Sequence, residues 1–125
     1  MKMIFAENAP AAIGPYCHAV QAGNTFYISG QVPFHPKTGE VVGSTMTEQA
    51  KQTFANLKAV LDATGLTPAN IAKTTCFLSD FSLFSEFNTA YAEFMGEHKP
   101  ARICVEVARL PRDVFVEMDA IAITD

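Results

Sequence analysis

The sequence has no tryptophan, only three cysteines and few charged residues for its length. Cys17, Cys76 and Cys104 form no C-x-x-C pair, which excludes a disulfide framework or a cysteine zinc site and indicates free thiols in a reducing compartment. No apolar run approaches membrane-spanning length, and the N-terminus lacks the apolar stretch of a signal peptide. We therefore expect a cytoplasmic protein with no membrane partner.

Positive charge is also scarce, with 9 Lys and Arg against 13 Asp and Glu, a formal net charge of −4. An acidic chain without a basic, aromatic surface run argues against nucleic acid as a partner. His18, His35 and His98 lack the spacing of a metal site, and we expect them at solvent-facing or interface positions. With 125 residues and 49% apolar content, the chain is expected to form one domain, residues 1–125.

Local patterns predict an α+β protein with two helices. The segment 45–48 has the spacing of a capping box, so the first helix should begin there and end at Gly65. A second helix should begin at Asp80 or Ser82 and end near Gly96. The predicted strands cover residues 1–5, 16–21, 25–31, 71–79, 101–108 and 114–123. The longer elements follow the order β-β-α-β-α-β-β, which is typical of a sheet with two helices.

The last third of the chain places a cation and a carboxylate inside otherwise apolar β-sequence. Arg102 and Cys104 share one face of the strand 101–108, and Glu117 lies on the strand 114–123. The bend between these strands is short enough for a hairpin, and one register would set Glu117 opposite Cys104 and within reach of Arg102. Because such charges are costly to bury unless they are paired or bind a ligand, the pattern predicts a site.

The strand 114–123 is apolar on both faces, although two helices can cover only one face of a sheet. The face that needs another partner is predicted to carry Val114, Val116, Met118 and Ala120. We therefore expect a homo-oligomer, with sites formed where subunits meet.

Specific motifs are spread along nearly the whole chain. They are Ala9–Tyr16, Ser29–Pro33, Pro36–Glu40, Gln49–Leu57, Lys73–Thr75, Asn88-x-x-Tyr91 and the block Pro100–Pro111. Together they resemble the RidA/YjgF/YER057c/UK114 family, also known as reactive-intermediate (enamine/imine) deaminases. The block Pro100–Pro111 is the most specific of these motifs.

The resemblance implies a chorismate-mutase-like α+β fold, in which a mixed sheet carries two helices on one face. It further implies a homotrimer whose sheets form a central barrel, with a cleft between each pair of subunits. The implied activity is that of a 2-iminobutanoate/2-iminopropanoate deaminase, a metal-independent hydrolase that converts 2-enamines and 2-imines, such as 2-aminoacrylate, to 2-keto acids and ammonia. No metal or organic cofactor is expected.

The resemblance also assigns roles to individual residues. Arg102 would anchor the substrate carboxylate, and Glu117 would orient water and act as the acid or base. The other substrate contacts would come from Tyr16, Ser29, Gly30, Asn88 and Cys104, the last chiefly through its backbone. The residue types suit this chemistry, because Arg can clamp a carboxylate with two parallel hydrogen bonds and a carboxylate can transfer a proton to or from water.

Each of these residues also has a structural interpretation. Arg102 and Glu117 could form an ion pair at a subunit interface. Cys104 could be a small buried apolar residue, since the sequence places no histidine as its base. The remaining alternatives are a core aromatic for Tyr16, a backbone-bonding strand end for Ser29 and a loop cap for Asn88.

The dipeptide Cys17-His18 departs from the family pattern, which more often has a small or apolar residue followed by Gln. His18 therefore adds a titratable group beside the expected cleft, and it is expected to alter the pH dependence or the substrate range.

Two other functions stay open. Proteins of the resembled family have been described as endoribonucleases or translation inhibitors, which the acidic composition argues against, and others as regulatory or chaperone-like. A regulator that binds 2-keto acids without turnover would need Arg102 but not Glu117, so Glu117 discriminates between a regulator and an enzyme.

Overall fold

The computed structural model describes all 125 residues and contains one six-stranded mixed sheet with two long helices on one face. The strands are β1 (Lys2–Ile4), β2 (Ala19–Ala22), β3 (Thr25–Gln31), β4 (Ile71–Leu78), β5 (Ala101–Glu106) and β6 (Val116–Ile123). The helices are α1 (Met46–Thr64) and α2 (Phe84–Met95), and neither is long and apolar enough to cross a membrane. The spatial strand order is β1-β2-β3-β6-β4-β5. The predicted α+β class with two helices is confirmed.

Helix α1 begins and ends where its sequence signals predict. The Thr45 hydroxyl accepts a hydrogen bond from the Glu48 backbone N–H at 3.2 Å, and the Glu48 carboxylate accepts one from the Thr45 N–H at 3.2 Å. Gly65 ends the helix in the left-handed conformation, with φ of 77°. The second helix ends before Gly96, also as predicted. These boundaries depend only on nearby residues, which is why local patterns predict them.

The predicted hairpin of the last two strands is wrong. β5 pairs in parallel with β4 at the edge of the sheet, whereas β6 lies between β3 and β4 and is antiparallel to both. Parallel strands need a crossover connection, and α2 supplies it between β4 and β5. Residues 107–115 then carry the chain past β4 to the centre of the sheet. Glu117 consequently pairs with Phe77 and not with Cys104.

The prediction about which face of β6 needs a partner is also wrong. Val116, Met118, Ala120 and Ala122 point towards the helices and are at most 2% exposed, because β6 is a central strand directly beneath α1. The opposite face of the sheet, which carries Glu117, has no helix over it. We call it the open face, and its apolar side chains that stay 39–51% exposed are Tyr27, Ile103, Val105 and Ile123. An uncovered apolar face therefore exists, but on the other side of the strand.

A second, small apolar cluster joins two loops at one end of the open face. Phe34, Leu110 and Val114 form its buried centre, and Phe77 of β4 packs against it. The guanidinium of Arg112 lies 5.4 Å from the ring centre of Phe34 and donates to the carbonyl of Gly39 at 2.7 Å. These contacts fasten residues 107–115, and with them the start of β6, to the loop that follows β3.

Candidate active site

A carboxylate lies directly over a glycine on the open face. The pairing of β3 with β6 shifts register between Ile28 and Gln31, and this bulge sets Gly30 beneath Glu117. A Cβ atom at position 30 would clash with the Glu117 carboxylate and lie 3.1 Å from its Cδ. Only glycine leaves that space, so residue 30 allows the position of the carboxylate.

The environment of Glu117 favours its protonated form. Burial raises the pKa of the Glu117 carboxyl above its ordinary value, and the like charge of Asp119 on the same strand raises it further. No hydrogen bond or ion pair within the chain stabilises the charged form. A half-buried carboxyl whose pKa is raised is a better proton acceptor than an ordinary carboxylate, which suits it to general acid–base chemistry.

Tyr16 and Ser29 differ in how far their hydroxyl groups are already engaged by the chain. The Ser29 hydroxyl donates to the Cys17 carbonyl at 2.7 Å, so it bonds backbone as the structural interpretation expects, although Ser29 lies within β3 and not at its end. Tyr16 is 48% exposed and therefore is not a core aromatic. Its hydroxyl accepts the Ile13 N–H at 3.3 Å, and it lines a cavity of about 40 Å³ together with Gly30. Tyr16 is thus free to contact a ligand, whereas the Ser29 hydroxyl already has a backbone partner.

His18 is buried, which contradicts the expected position at a solvent-facing or interface site. Its Nδ1 accepts the Ala6 N–H at 2.8 Å, so Nε2 carries the proton and donates to the Pro10 carbonyl at 2.7 Å. The ring thus fastens the loop that leads to Tyr16. No sequence pattern predicts this role, because the path of the loop decides which backbone groups, the Ala6 N–H and the Pro10 carbonyl, lie next to the ring.

Replacing His18 by Leu should lower the free energy of unfolding by about 1–3 kcal/mol, because the buried Ala6 N–H loses its acceptor. Replacing it by Gln should cost less, since an amide can still offer one acceptor and one donor. Urea unfolding of both variants checks the difference. Equal stability of the Leu and Gln variants would contradict this role.

Arg102 lies at the edge of the sheet, on the helix-covered face. Its register partner on β4 is Thr74, and its Nη1 donates to Asn88 Oδ1 of α2 at 2.8 Å. Its guanidinium carbon lies 4.8 Å from the ring centre of Tyr91 and 5.6 Å from that of Phe84. The ion pairs of the chain are Lys58–Asp62 and Arg109–Asp113, so Arg102 has no acidic partner. It is a cation with donors available for an anion.

Asn88 therefore contacts Arg102 instead of capping a loop. Tyr91, Phe84 and Thr74 belong to the surroundings of Arg102 but were not predicted there. The spacing of residues 84, 88 and 91 does place them on one face of a helix, which is the signal the sequence offers. Their common partner could not be read from it, because β5 meets α2 only through the tertiary fold.

The cysteine thiols near Arg102 are poorly suited to nucleophilic chemistry. Cys104 pairs with Cys76 across β4 and β5, and both side chains face the helices. Burial raises the pKa of Cys76 to about 12. Burial also raises the pKa of Cys104, against the opposing charge of Arg102. Both thiols therefore stay protonated at neutral pH, in line with the structural interpretation of Cys104.

The two halves of the predicted site do not meet within one chain. Glu117 pairs with Phe77, and Phe77 pairs with Val105, so two strand spacings of about 5 Å each separate Glu117 from β5. Arg102 lies three residues further along β5 and on the opposite face of the sheet. The contact between Arg102 and Glu117 that the hairpin predicted is therefore absent.

Gly30→Ala should lower turnover by about 10²-fold through displacement of the Glu117 carboxylate. The fold should persist, because the clash falls on the end of a flexible side chain. The check is the steady-state rate at which Gly30→Ala, Glu117→Gln and the double variant turn over the 2-imine substrate that the resemblance implies. The double variant should be no slower than Glu117→Gln alone, whereas multiplied losses would show that Gly30 acts independently of Glu117.

Known proteins resemble this chain over nearly its whole length. A sequence profile of the endoribonuclease L-PSP family matches residues 6–124. The RutC family protein PH0854 of Pyrococcus horikoshii is 49% identical over 121 residues, which are 97% of this chain and 96% of that protein. The 2-iminobutanoate/2-iminopropanoate deaminase of Escherichia coli K12 is 50% identical over 125 residues, covering 98% and 97% of the two chains.

A solved structure gives the same result for the fold. The crystal structure of E. coli TdcF with bound serine superimposes with a TM-score of 0.95 at 41% identity, covering 100% of both chains. With the profile match, these likenesses show that the chain belongs to the endoribonuclease L-PSP family, which is the RidA/YjgF/YER057c/UK114 family that its motifs resemble.

Proposed function

We propose that this protein hydrolyses small 2-enamines and 2-imines, such as 2-aminoacrylate and 2-iminopropanoate, to 2-keto acids and ammonia. One observation carries the proposal. The chain holds a cation without an acidic partner, Arg102, and a carboxyl of raised pKa, Glu117, which suit the two ends of a 2-imino acid. The name of the E. coli K12 relative, 2-iminobutanoate/2-iminopropanoate deaminase, supports the same reaction.

Because Arg102 and Glu117 do not meet within one chain, a site that uses both residues requires a second subunit. The open face carries exposed apolar side chains, and β5 is an edge strand with a free side. A second copy that covers the open face would bring Arg102 of one subunit towards Glu117 of its neighbour. A closed ring of three copies would form three equivalent sites of this kind, with the sheets lining a central barrel.

The chemistry needs only these groups and water. Arg102 binds the substrate carboxylate through two parallel hydrogen bonds and so fixes the position of C2. Glu117 accepts a proton from a water molecule as the water oxygen forms a bond to C2 of the imine. Glu117 returns that proton to nitrogen, which completes the tetrahedral intermediate. Its hydroxyl proton then passes to nitrogen through Glu117 as the C=O bond forms and the C–N bond breaks, so that a 2-keto acid and ammonia leave. In this proposal Tyr16 contacts that nitrogen or the water.

A regulator that binds 2-keto acids without turnover is the second candidate. It is favoured by the solved TdcF structure, which holds serine, a small molecule with a carboxylate. Such binding requires Arg102 but gives Glu117 no role. Ribonuclease chemistry is the weaker alternative, because His18, His35 and His98 each have a ring nitrogen engaged with the backbone.

The deciding experiment generates 2-aminoacrylate with and without the protein and traps the remaining imine tautomer with semicarbazide. A decrease in the amount of semicarbazone measures the hydrolysis. We expect accelerated formation of pyruvate and ammonia. No acceleration, together with binding of 2-ketobutyrate in calorimetry that Arg102→Ala abolishes, would replace the enzyme by the regulator. If the wild type neither accelerates the hydrolysis nor binds 2-ketobutyrate, both candidates are rejected.

A further inference from the structure

The most specific arrangement around Arg102 is the face of α2 formed by Phe84, Asn88 and Tyr91. We propose that this face holds Arg102 rigidly as a binding group for one planar carboxylate. Asn88 determines this specificity, because its neutral amide holds the guanidinium without neutralising its positive charge. The inference rests on the proposed function of Arg102 as the carboxylate anchor. It adds positioning roles for Phe84 and Tyr91 and a selective role for Asn88.

The two rings restrict how the guanidinium can move. Arg102 lies over the rings of Tyr91 and Phe84, at 4.8 and 5.6 Å from their centres, and these contacts favour the cation. Tyr91 is itself held by strand β4, because its hydroxyl forms a buried 2.8 Å hydrogen bond with that of Thr74. Thr74 is also the register partner of Arg102, so strand and helix fix the ring and the arginine together.

The hydrogen bond to Asn88 leaves a defined set of donors. A guanidinium has five N–H donors, all in its plane, and the chain engages it only through Nη1. Because the remaining donors lie in the plane of the guanidinium, a ligand that accepts hydrogen bonds from them must bind in that plane. A planar carboxylate matches this geometry with two parallel bonds.

The charge around Arg102 points to an anion as well. A depression of about 330 Å³ is lined by Asn88, Tyr91, Lys99 and Arg102 together with apolar residues and His98, and no Asp or Glu lines it. The side chain that accepts a hydrogen bond from the guanidinium is thus the neutral amide of Asn88. An aspartate there would form an ion pair with Arg102 and compete with the carboxylate of a ligand.

This competition separates a selective role of Asn88 from a merely structural one. Asn88 is exposed, so Asn88→Asp is compatible with the fold, and a new Asp–Arg ion pair would keep or raise stability. A structural role would therefore tolerate aspartate. A selective role predicts that ligand affinity falls while stability does not.

The test compares Asn88→Asp, Asn88→Ala, Tyr91→Leu and Tyr91→Phe with the wild type. Calorimetric binding of 2-ketobutyrate, KM and kcat for 2-iminopropanoate, and the unfolding temperature are measured for each. We expect Asn88→Asp to weaken 2-ketobutyrate binding and raise KM by about 10-fold or more, with a smaller change in kcat and no loss of stability. Tyr91→Leu should raise KM more than Tyr91→Phe, which keeps the ring.

Arg102→Ala is the control that separates this inference from the proposed function. If Arg102→Ala abolishes 2-ketobutyrate binding while Asn88→Asp and Asn88→Ala both bind like the wild type, the role of Asn88 is overturned and the anchor stands. If Arg102→Ala binds 2-ketobutyrate like the wild type, the anchor and the inference fail together. If the wild type binds 2-ketobutyrate without turnover, binding and stability alone still test the inference.

Discussion

Glu117→Gln is expected to lower kcat by about 10²–10⁴-fold, the usual contribution of a positioned acid or base. The amide has the same shape as the carboxyl but can neither accept nor return the proton of the attacking water. KM should change little, because the proposed mechanism assigns binding of the substrate carboxylate to Arg102 and not to Glu117. The measurement is steady-state turnover of 2-iminopropanoate with semicarbazide trapping. A kcat within a few-fold of the wild type would show that Glu117 is not the proton-transfer group.

Stability should move in the opposite direction from activity in this variant. The folded protein raises the pKa of Glu117, so the ionised carboxylate opposes folding at any pH above that raised pKa, and this cost disappears as the pH falls below it. Gln removes the charge, and the unfolding temperature at neutral pH should stay equal or rise. A marked fall would mean that the charged form makes stabilising contacts in the assembled protein.

The same raised pKa predicts the acidic limb of the pH profile. If ionised Glu117 is the base, kcat/KM should fall on acidification with a midpoint above the ordinary carboxyl value of 4.5. Asp119→Asn should move this midpoint to lower pH, because it removes the like charge that helps to raise the pKa. A midpoint that does not respond to Asp119→Asn would assign the limb to another group.

If the protein assembles as the proposed trimer, an equal mixture of Arg102→Ala and Glu117→Gln subunits should recover about a quarter of wild-type turnover, although each variant alone is nearly inactive. Arg102→Ala alone should weaken the free energy of substrate binding by about 2–5 kcal/mol, because the truncation leaves the substrate carboxylate without its partner. In a mixed trimer, one of the three interfaces joins an intact Arg102 to an intact Glu117. Random assembly of equal amounts makes about three quarters of the trimers mixed, hence the expected recovery.

The experiment uses the two variants with different affinity tags, refolded together or co-expressed, and measures turnover per subunit. Two differently tagged preparations of Arg102→Ala serve as the matched control and should stay inactive after mixing. Recovery in the mixture alone would establish that each site takes residues from two subunits. Confirmed co-assembly without recovery would contradict the composite site.

Much of the local structure is readable from the sequence. The capping box at Thr45, the glycine at position 65 and the alternation in the later strands depend on residues within a few positions of each other. Their predictions hold because the interactions that decide them are equally local. The motif-rich block Pro100–Pro111 likewise indicated the family, whose profile spans residues 6–124.

The strand order was decided by the tertiary structure alone. A chain that alternates apolar residues does not specify which strand it will pair with, and neighbours in sequence are only the commonest partners. Here α2 carries β5 to the edge beside β4, and β6 fills the centre, where its helix-facing side chains are buried most completely. That insertion separates Glu117 from Arg102 and turns them to opposite faces.

The site residues show the same division. Their chemical types, a guanidinium and a carboxyl in apolar strands, are properties of the sequence, and so is the shared helix face of residues 84, 88 and 91. Their partners are properties of the fold: Gly30 lies under Glu117 because of a bulge, and Arg102 lies over Tyr91 because β5 passes beneath α2. The sequence by itself determined which groups are present and which elements carry them. Only long-range packing decided which of these groups meet, because strand pairing and helix docking join residues far apart in the chain.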